Sequence, residues 1–211
     1  MTSSFALTID PKQLETLPLE AFKGKIEVVD HKGLGYARAI AYLNSQKILG
    51  FDTETRPSFE VHHLHHDVAL LQLSGPDKAY LFRLNKLGFP KTLRGILANP
   101  NIIKVGAACK DDARGLQRLA PFEPHGFLDL QSMVWEWGIK DKSVKKMAAI
   151  ILGIRISKSQ QLSNWEADCL TPAQQLYAAT DAWVCREMYL ELMDSPKHPI
   201  EYDEQGNIKE R

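Results

Sequence analysis

Hydrophobic periodicity changes several times along the chain, and each change marks an element. KILGFDTET opens on an apolar block, Ile48 to Phe51, and ends in polar residues, which predicts a buried strand whose tip leaves the core. DVALLQLS and KAYLFRL predict a second and a third strand, and the turn signal GPDK (Gly75–Lys78) joins them as a hairpin. Upstream, IEVVD (Ile26–Asp30) is a short β-prone run, and GYARAIAYLNSQ places Tyr36, Ile40 and Leu43 at helical spacing. IDPKQLETL predicts a helix start, with Asp10 as N-cap and Pro11 in the first helical position. Downstream, LRGILANP predicts a helix ending near Pro100, IIKVGAA a strand, KDDARGLQRLA a helix and FLDLQ a short strand. From Ser132 to Met193 the pattern is helical, with breaks at Gly138, Gly153 and Pro172. Three meandering strands, then βα units, then helices predict one α/β domain with a mixed sheet. Its expected bounds are 25–195, with an N-terminal extension over 1–24 and a polar, loosely ordered tail over 196–211.

Composition narrows the function classes. The 211 residues suit one domain, and 44% hydrophobic with 25% charged residues is ordinary for a globular protein. Lys plus Arg and Asp plus Glu both number 26, so no global charge draws the chain to nucleic acid or an anionic membrane. A polyanion partner must then be held by a local patch or by bound cations. Cys109, Cys169 and Cys185 form no CxxC pair and read as reduced thiols. The N-terminus MTSSFALTIDPKQ lacks the pattern of a signal peptide, and no apolar run approaches a membrane span. A cytoplasmic protein without membrane contact is expected.

Several acidic motifs carry the candidate chemistry. Asp52 and Glu54 lie two apart on a strand and so share one face. Two like charges at the end of a core strand repel each other, and a divalent cation between them resolves the conflict. In LYAATDAWV, Tyr177 and Asp181 lie four apart and face the same way on a helix. Asp111 and Asp112 stand at a strand-to-helix junction, where acids also serve as helix-entry residues. The stretch HHLHH sets His62, His63, His65 and His66 just after the first acid pair. Extended, these residues alternate in direction and do not converge on one ion, so a polar loop is the simpler reading than a zinc site. Phosphate binding below neutral pH is their alternative role.

An acid pair on an early strand, an Asp at a strand-to-helix junction and a late Tyr-x-x-x-Asp helix occur here in one order. This constellation resembles the DEDDy 3'-to-5' exonucleases, the family of ribonuclease D and of the Werner syndrome exonuclease. VALLQLS and LSNWEADCLTPAQQLYAATDAWVCREMY extend the resemblance over residues 25–193. It implies a ribonuclease H-like mixed sheet of about five strands with flanking helices. It also implies two divalent cations, Mg²⁺ or Mn²⁺, with Asp52 shared, Glu54 and Asp181 on one ion, and Asp112 serving the other. By the family's spacing from Gly106, Asp112 and not Asp111 is the acid in question. Tyr177 would aim the attacking water. The implied reaction is hydrolysis of phosphodiester bonds from a nucleic-acid 3' end, releasing nucleoside 5'-monophosphates. The Werner-type likeness favours DNA; RNA processing of the ribonuclease D kind and a catalytically inactive binding module are the alternatives. Thr53, Thr55, Arg56 and Lys158 are candidate substrate contacts, and Trp165 is a candidate platform for a base.

Overall fold

The computed structural model describes residues 5–58, 66–203, 205 and 208. Strands β1 (Lys25–Val29), β2 (Ile48–Thr55), β3 (Val68–Ser74), β4 (Lys78–Arg83), β5 (Ile103–Gly106) and β6 (Phe127–Asp129) form one sheet in the order β1-β4-β3-β2-β5-β6. The meander β2-β3-β4 is antiparallel, while β1 joins β4, β5 joins β2 and β6 joins β5 in parallel. The sheet has six strands, in line with the mixed sheet of about five that the resemblance implies, and the β-prone run at Lys25–Val29 pairs along the edge of β4.

Alternation along the central strands divides the core. Leu49, Phe51, Leu71 and Leu73 face one side, where α2 (Leu34–Asn44), α3 (Leu84–Leu87), α4 (Lys91–Leu97) and α5 (Cys109–Leu119) add Leu43, Leu84, Leu97 and Leu116. Leu70 and Leu81 face the other side and meet Ala178 and Ala179 of the long helix α8 (Pro172–Asp194). A third cluster joins α6 (Leu130–Met133) and α7 (Val144–Leu152) to the second half of α8 through Leu130, Met147, Ile151, Val184 and Met188. Because α8 is covered on most sides, its buried residues follow no single apolar stripe, as befits a central helix.

Two local features set where α8 lies. Thr171 caps it with a reciprocal Thr171–Gln174 capping box, followed by Pro172 at the first helical position. Gly50 on β2 then admits the helix backbone: a Cβ there would stand 1.9 Å from the Ala182 carbonyl oxygen. The α8 backbone therefore rests directly on β2.

The helical pattern expected from Ser132 to Met193 is interrupted more widely than its breaks indicate. Gly153 closes α7 in a left-handed conformation at φ 65°, and residues 153–171 run through turns and extended backbone before α8 begins. The sequence there, SKSQQLSN, has no apolar period to pack as a helix. Just before it, the backbone at Arg155 pairs with the N-terminal segment after α1 (Pro11–Thr16). The Arg155 amide donates to Pro18 O and the Glu20 amide to Arg155 O, each at 2.9 Å. The N-terminal extension is thus a strap bound to the face of the domain that carries α8.

Replacing Gly50 with Ala should lower unfolding stability by about 1–3 kcal/mol, as overpacking against backbone does. Gly35→Ala, where nothing lies within 4 Å, should be neutral or slightly stabilising. Denaturant titration of both variants checks the pair, and equal effects would contradict the close approach.

Candidate active site

The strand period places Asp52 and Glu54 on the α8 face of β2 and Thr53 on the opposite face. Gly50 lets α8 down onto that strand, and Asp181 comes over the pair. One carboxylate oxygen from each of Asp52, Glu54 and Asp181 lies within 4.8 Å of the others. They line a cavity of about 210 Å³ with Lys158, Gln161 and Tyr177. Asp181 is 5% exposed. Its Oδ2 accepts from Lys158 Nζ at 2.9 Å, while its buried Oδ1 has no hydrogen-bond partner among the described residues.

Asp112 enters from the other face. The β5–α5 junction turns through Ala108 in a left-handed conformation at φ 62°, and Asp129 Oδ1 accepts from its amide at 3.1 Å. One turn later Asp112 points inward and accepts from Thr53 Oγ1 at 2.5 Å, whereas Asp111 is exposed and pairs with Arg114 at 3.0 Å. Asp112 stands outside the cluster of three, close enough for its charge to act on Asp52.

Burial and mutual repulsion set the titration of these groups. Burial first, then the Glu54, Asp181 and Asp112 carboxylates, hold Asp52 well above the usual carboxylate range. Glu54 is pushed up to about 8 by burial and then by Asp181. Asp112 rises to about 6 by burial, against the lowering effect of the Thr53 hydrogen bond. Burial also raises Asp181, with Lys158 opposing. Burial, then the Asp181 and Glu54 carboxylates, hold Tyr177 above the ordinary tyrosine range, so it stays a protonated hydroxyl. The all-oxygen donor set, the unpartnered Asp181 Oδ1 and an ammonium already paired with Asp181 fit a hard divalent cation.

The other sequence candidates fall around this centre. Lys158 Nζ is 3.5 Å from Tyr177 OH as well as paired with Asp181. Arg56 is half exposed at the rim and pairs with Glu166 at 3.3 Å. Thr55 is exposed at the end of β2, beyond a register shift that follows Glu54. Trp165 is fully buried and has no face for a base; its ring packs on Tyr177 at 5.9 Å between centroids. Arg83 and Lys86 fix the loop behind it by donating to the carbonyls of Ala167 and Asp168. His66 lies 3.4 Å from Glu166, whereas His62, His63 and His65 lie outside the described residues. Sequence reading missed Gln72, which sits directly across from Asp52 in the β2–β3 register and is fully buried. Its signal was a lone amide in the apolar strand VALLQLS.

A family model described as 3'-5' exonuclease matches residues 34–195. The chain belongs to this 3'-5' exonuclease family. The mouse exonuclease 3'-5' domain-containing protein 2 is 35% identical over 151 residues, covering 66% of this chain and 23% of the relative. The mouse bifunctional 3'-5' exonuclease/ATP-dependent helicase WRN is 30% identical over 161 residues, 71% of this chain and 11% of the relative. This chain therefore spans a quarter or less of the length of these relatives. The structure of Trypanosoma brucei RNase D in complex with RNA U12 superposes with a TM-score of 0.73 at 20% identity. It covers 85% of this chain and 66% of that one, and it shares the ribonuclease H-like fold.

The raised carboxyls fix a pH dependence. The folded protein keeps their protons after the unfolded chain has released them, so metal-free stability falls as pH rises from the ordinary carboxylate value of 4.5 through about 8 for Glu54. A cation needs the ionised forms, so its stabilisation grows over the same window. Mn²⁺ should raise the melting temperature more at about pH 8 than at about pH 5.5, with EDTA reversing the gain. Equal gains at both pH values would contradict this electrostatic picture.

Proposed function

We propose that this protein is a metal-dependent 3'-to-5' exonuclease that releases nucleoside 5'-monophosphates, with DNA as the favoured substrate. The observation that carries the reading is the convergence of Asp52, Glu54 and Asp181 within 4.8 Å in a chain of this family. A pure nucleic-acid binder has no need to gather carboxylates where phosphates must lie, which argues against an inactive module. RNA is the alternative substrate, supported by the structurally similar ribonuclease D solved with RNA. We assign the exonuclease domain to residues 25–195 and place the protein in the cytoplasm; among the described residues no helix is long and apolar enough to cross a membrane.

In this reading Asp52, Glu54 and Asp181 hold the cation, and Asp112 supports a second one. Mg²⁺ or Mn²⁺ bound there supplies an acidified water and neutralises charge on the scissile phosphate. Tyr177, which lines the same cavity as the carboxylates, orients the attacking water by hydrogen bonding. Trp165 fixes the Tyr177 ring from behind. Thr53 holds Asp112, and Arg56 and Lys158 offer positive charge to the phosphates on either side.

Digestion of 5'-labelled single-stranded DNA and its RNA counterpart tests the reading. Wild type with Mg²⁺ or Mn²⁺ should give a 3'-shortening ladder that EDTA abolishes. Asp52→Ala should lower the rate by at least about 10²–10³-fold, and Tyr177→Phe by about 10²-fold while keeping the Mn²⁺ stabilisation. Binding without shortening of either strand would establish the inactive module instead.

A further inference from the structure

Two cavities meet at Tyr177. One is the carboxylate cavity. The other, of about 180 Å³, is bounded by Leu19, Ala21, Ser157, Ser159, Ala173 and Leu176, with Tyr177 and Thr180 completing it. The segment 157–159 is the partition between them. Lys158 lines the carboxylate cavity, and its neighbours Ser157 and Ser159 line the second. The two serine hydroxyls lie 3.0 Å apart. On α8, Ala173, Leu176, Tyr177 and Thr180 follow the helical period and form one face.

The far wall is the N-terminal strap. It is pinned by the Leu19–Arg155 bridge, by Arg155 Nε donating to Leu17 O at 3.0 Å, and by the Phe22 amide donating to Thr180 Oγ1 at 3.1 Å. This strap precedes residue 34, where the match to the family model begins. Its Leu19 is 55% exposed, and across the cavity Leu176 is 40% exposed. Glu20, also at the rim, is paired with Lys23 at 2.7 Å and so adds little free negative charge.

We infer that this second cavity is a nucleobase subsite, which receives the base of one of the two nucleotides flanking the scissile phosphate. The inference rests on the exonuclease reading of the neighbouring site. A base has apolar faces for Leu19, Leu176 and Ala173 and a polar edge for Ser157 and Ser159, which is the chemistry this cavity offers. Its position fits too. A nucleotide whose phosphate lies at the carboxylates has this cavity as its neighbour, on the far side of Tyr177 and the 157–159 segment, and the strap gives this chain a substrate contact beyond the residues matched by the family model.

The test compares oligonucleotides that carry a phosphorothioate at the 3' linkage: intact, abasic at the terminal residue, or abasic at the penultimate residue. Binding is read by fluorescence anisotropy with Mn²⁺. Wild type should bind one of the abasic strands about tenfold more weakly than the intact one. Ala173→Trp, which fills the cavity from an exposed position, should bind the intact strand as weakly as wild type binds the abasic one, and should no longer distinguish them. Leu176→Asp should behave alike. Variants that discriminate as wild type does, or a wild type indifferent to both lesions, would overturn the subsite. Shortening of an unmodified strand, measured in parallel, keeps the two claims separate. If it proceeds while the subsite result fails, only the subsite falls; if it is absent, the exonuclease reading falls and the subsite with it, and any base discrimination then reports a base-binding cavity with no scissile phosphate beside it.

Discussion

Three carboxyl groups held together on one half-buried face, with a single ammonium against them, constrain everything else in this structure. Two like charges some 5 Å apart repel by on the order of 3 kcal/mol at an effective dielectric of about 20. Fully ionised, Asp52, Glu54 and Asp181 would form three such pairs, and Lys158 would offset only part of the repulsion. The fold must therefore press them together by packing. The closely set α8 backbone, the missing Cβ at Gly50 and the small residues Ala178, Ala179 and Ala182 do this. The strain is expressed as reluctance to ionise, and it is relieved by positive charge. A site built in this way is poised for a cation, and through it for a phosphate.

The same packing orders the surroundings. Tyr177 and Asp181 ride on α8, so fixing the helix fixes both together. Trp165 closes the back of Tyr177, and Arg83 and Lys86 hold the loop that carries Trp165. Lys158 and the two serines beside it belong to a segment with no helix of its own, and the strap anchors its start by pairing with the backbone of Arg155. The irregular part of the chain thus lies between two rigid parts and lines both cavities.

Much of this was legible in the sequence, because it depends on local periods. Asp52 and Glu54 share a face by the strand period, and Tyr177 and Asp181 by the helical one. Asp10–Pro11, the GPDK turn and the βα units appear where their signals stand. The choice of Asp112 came from family spacing, and the inward turn through Ala108 is its physical basis. What could not be read depends on contacts between distant residues. The pairing of the strap with residue 155, the burial of Trp165 beneath Tyr177 and the ion pair of Lys158 with Asp181 have sequence separations too large for any local pattern. Residues 153–171 were misread as helical because a polar stretch between two real helices carries no period to contradict the assignment.

A crystal structure with Mn²⁺, located by anomalous scattering, tests the central claim most directly. The account predicts an ion bound by Asp52, Glu54 and Asp181, with Lys158 Nζ released from its 2.9 Å contact with Asp181. A structure in which Mn²⁺ is absent from this cluster, and Lys158 keeps its ion pair at saturating metal, would contradict it.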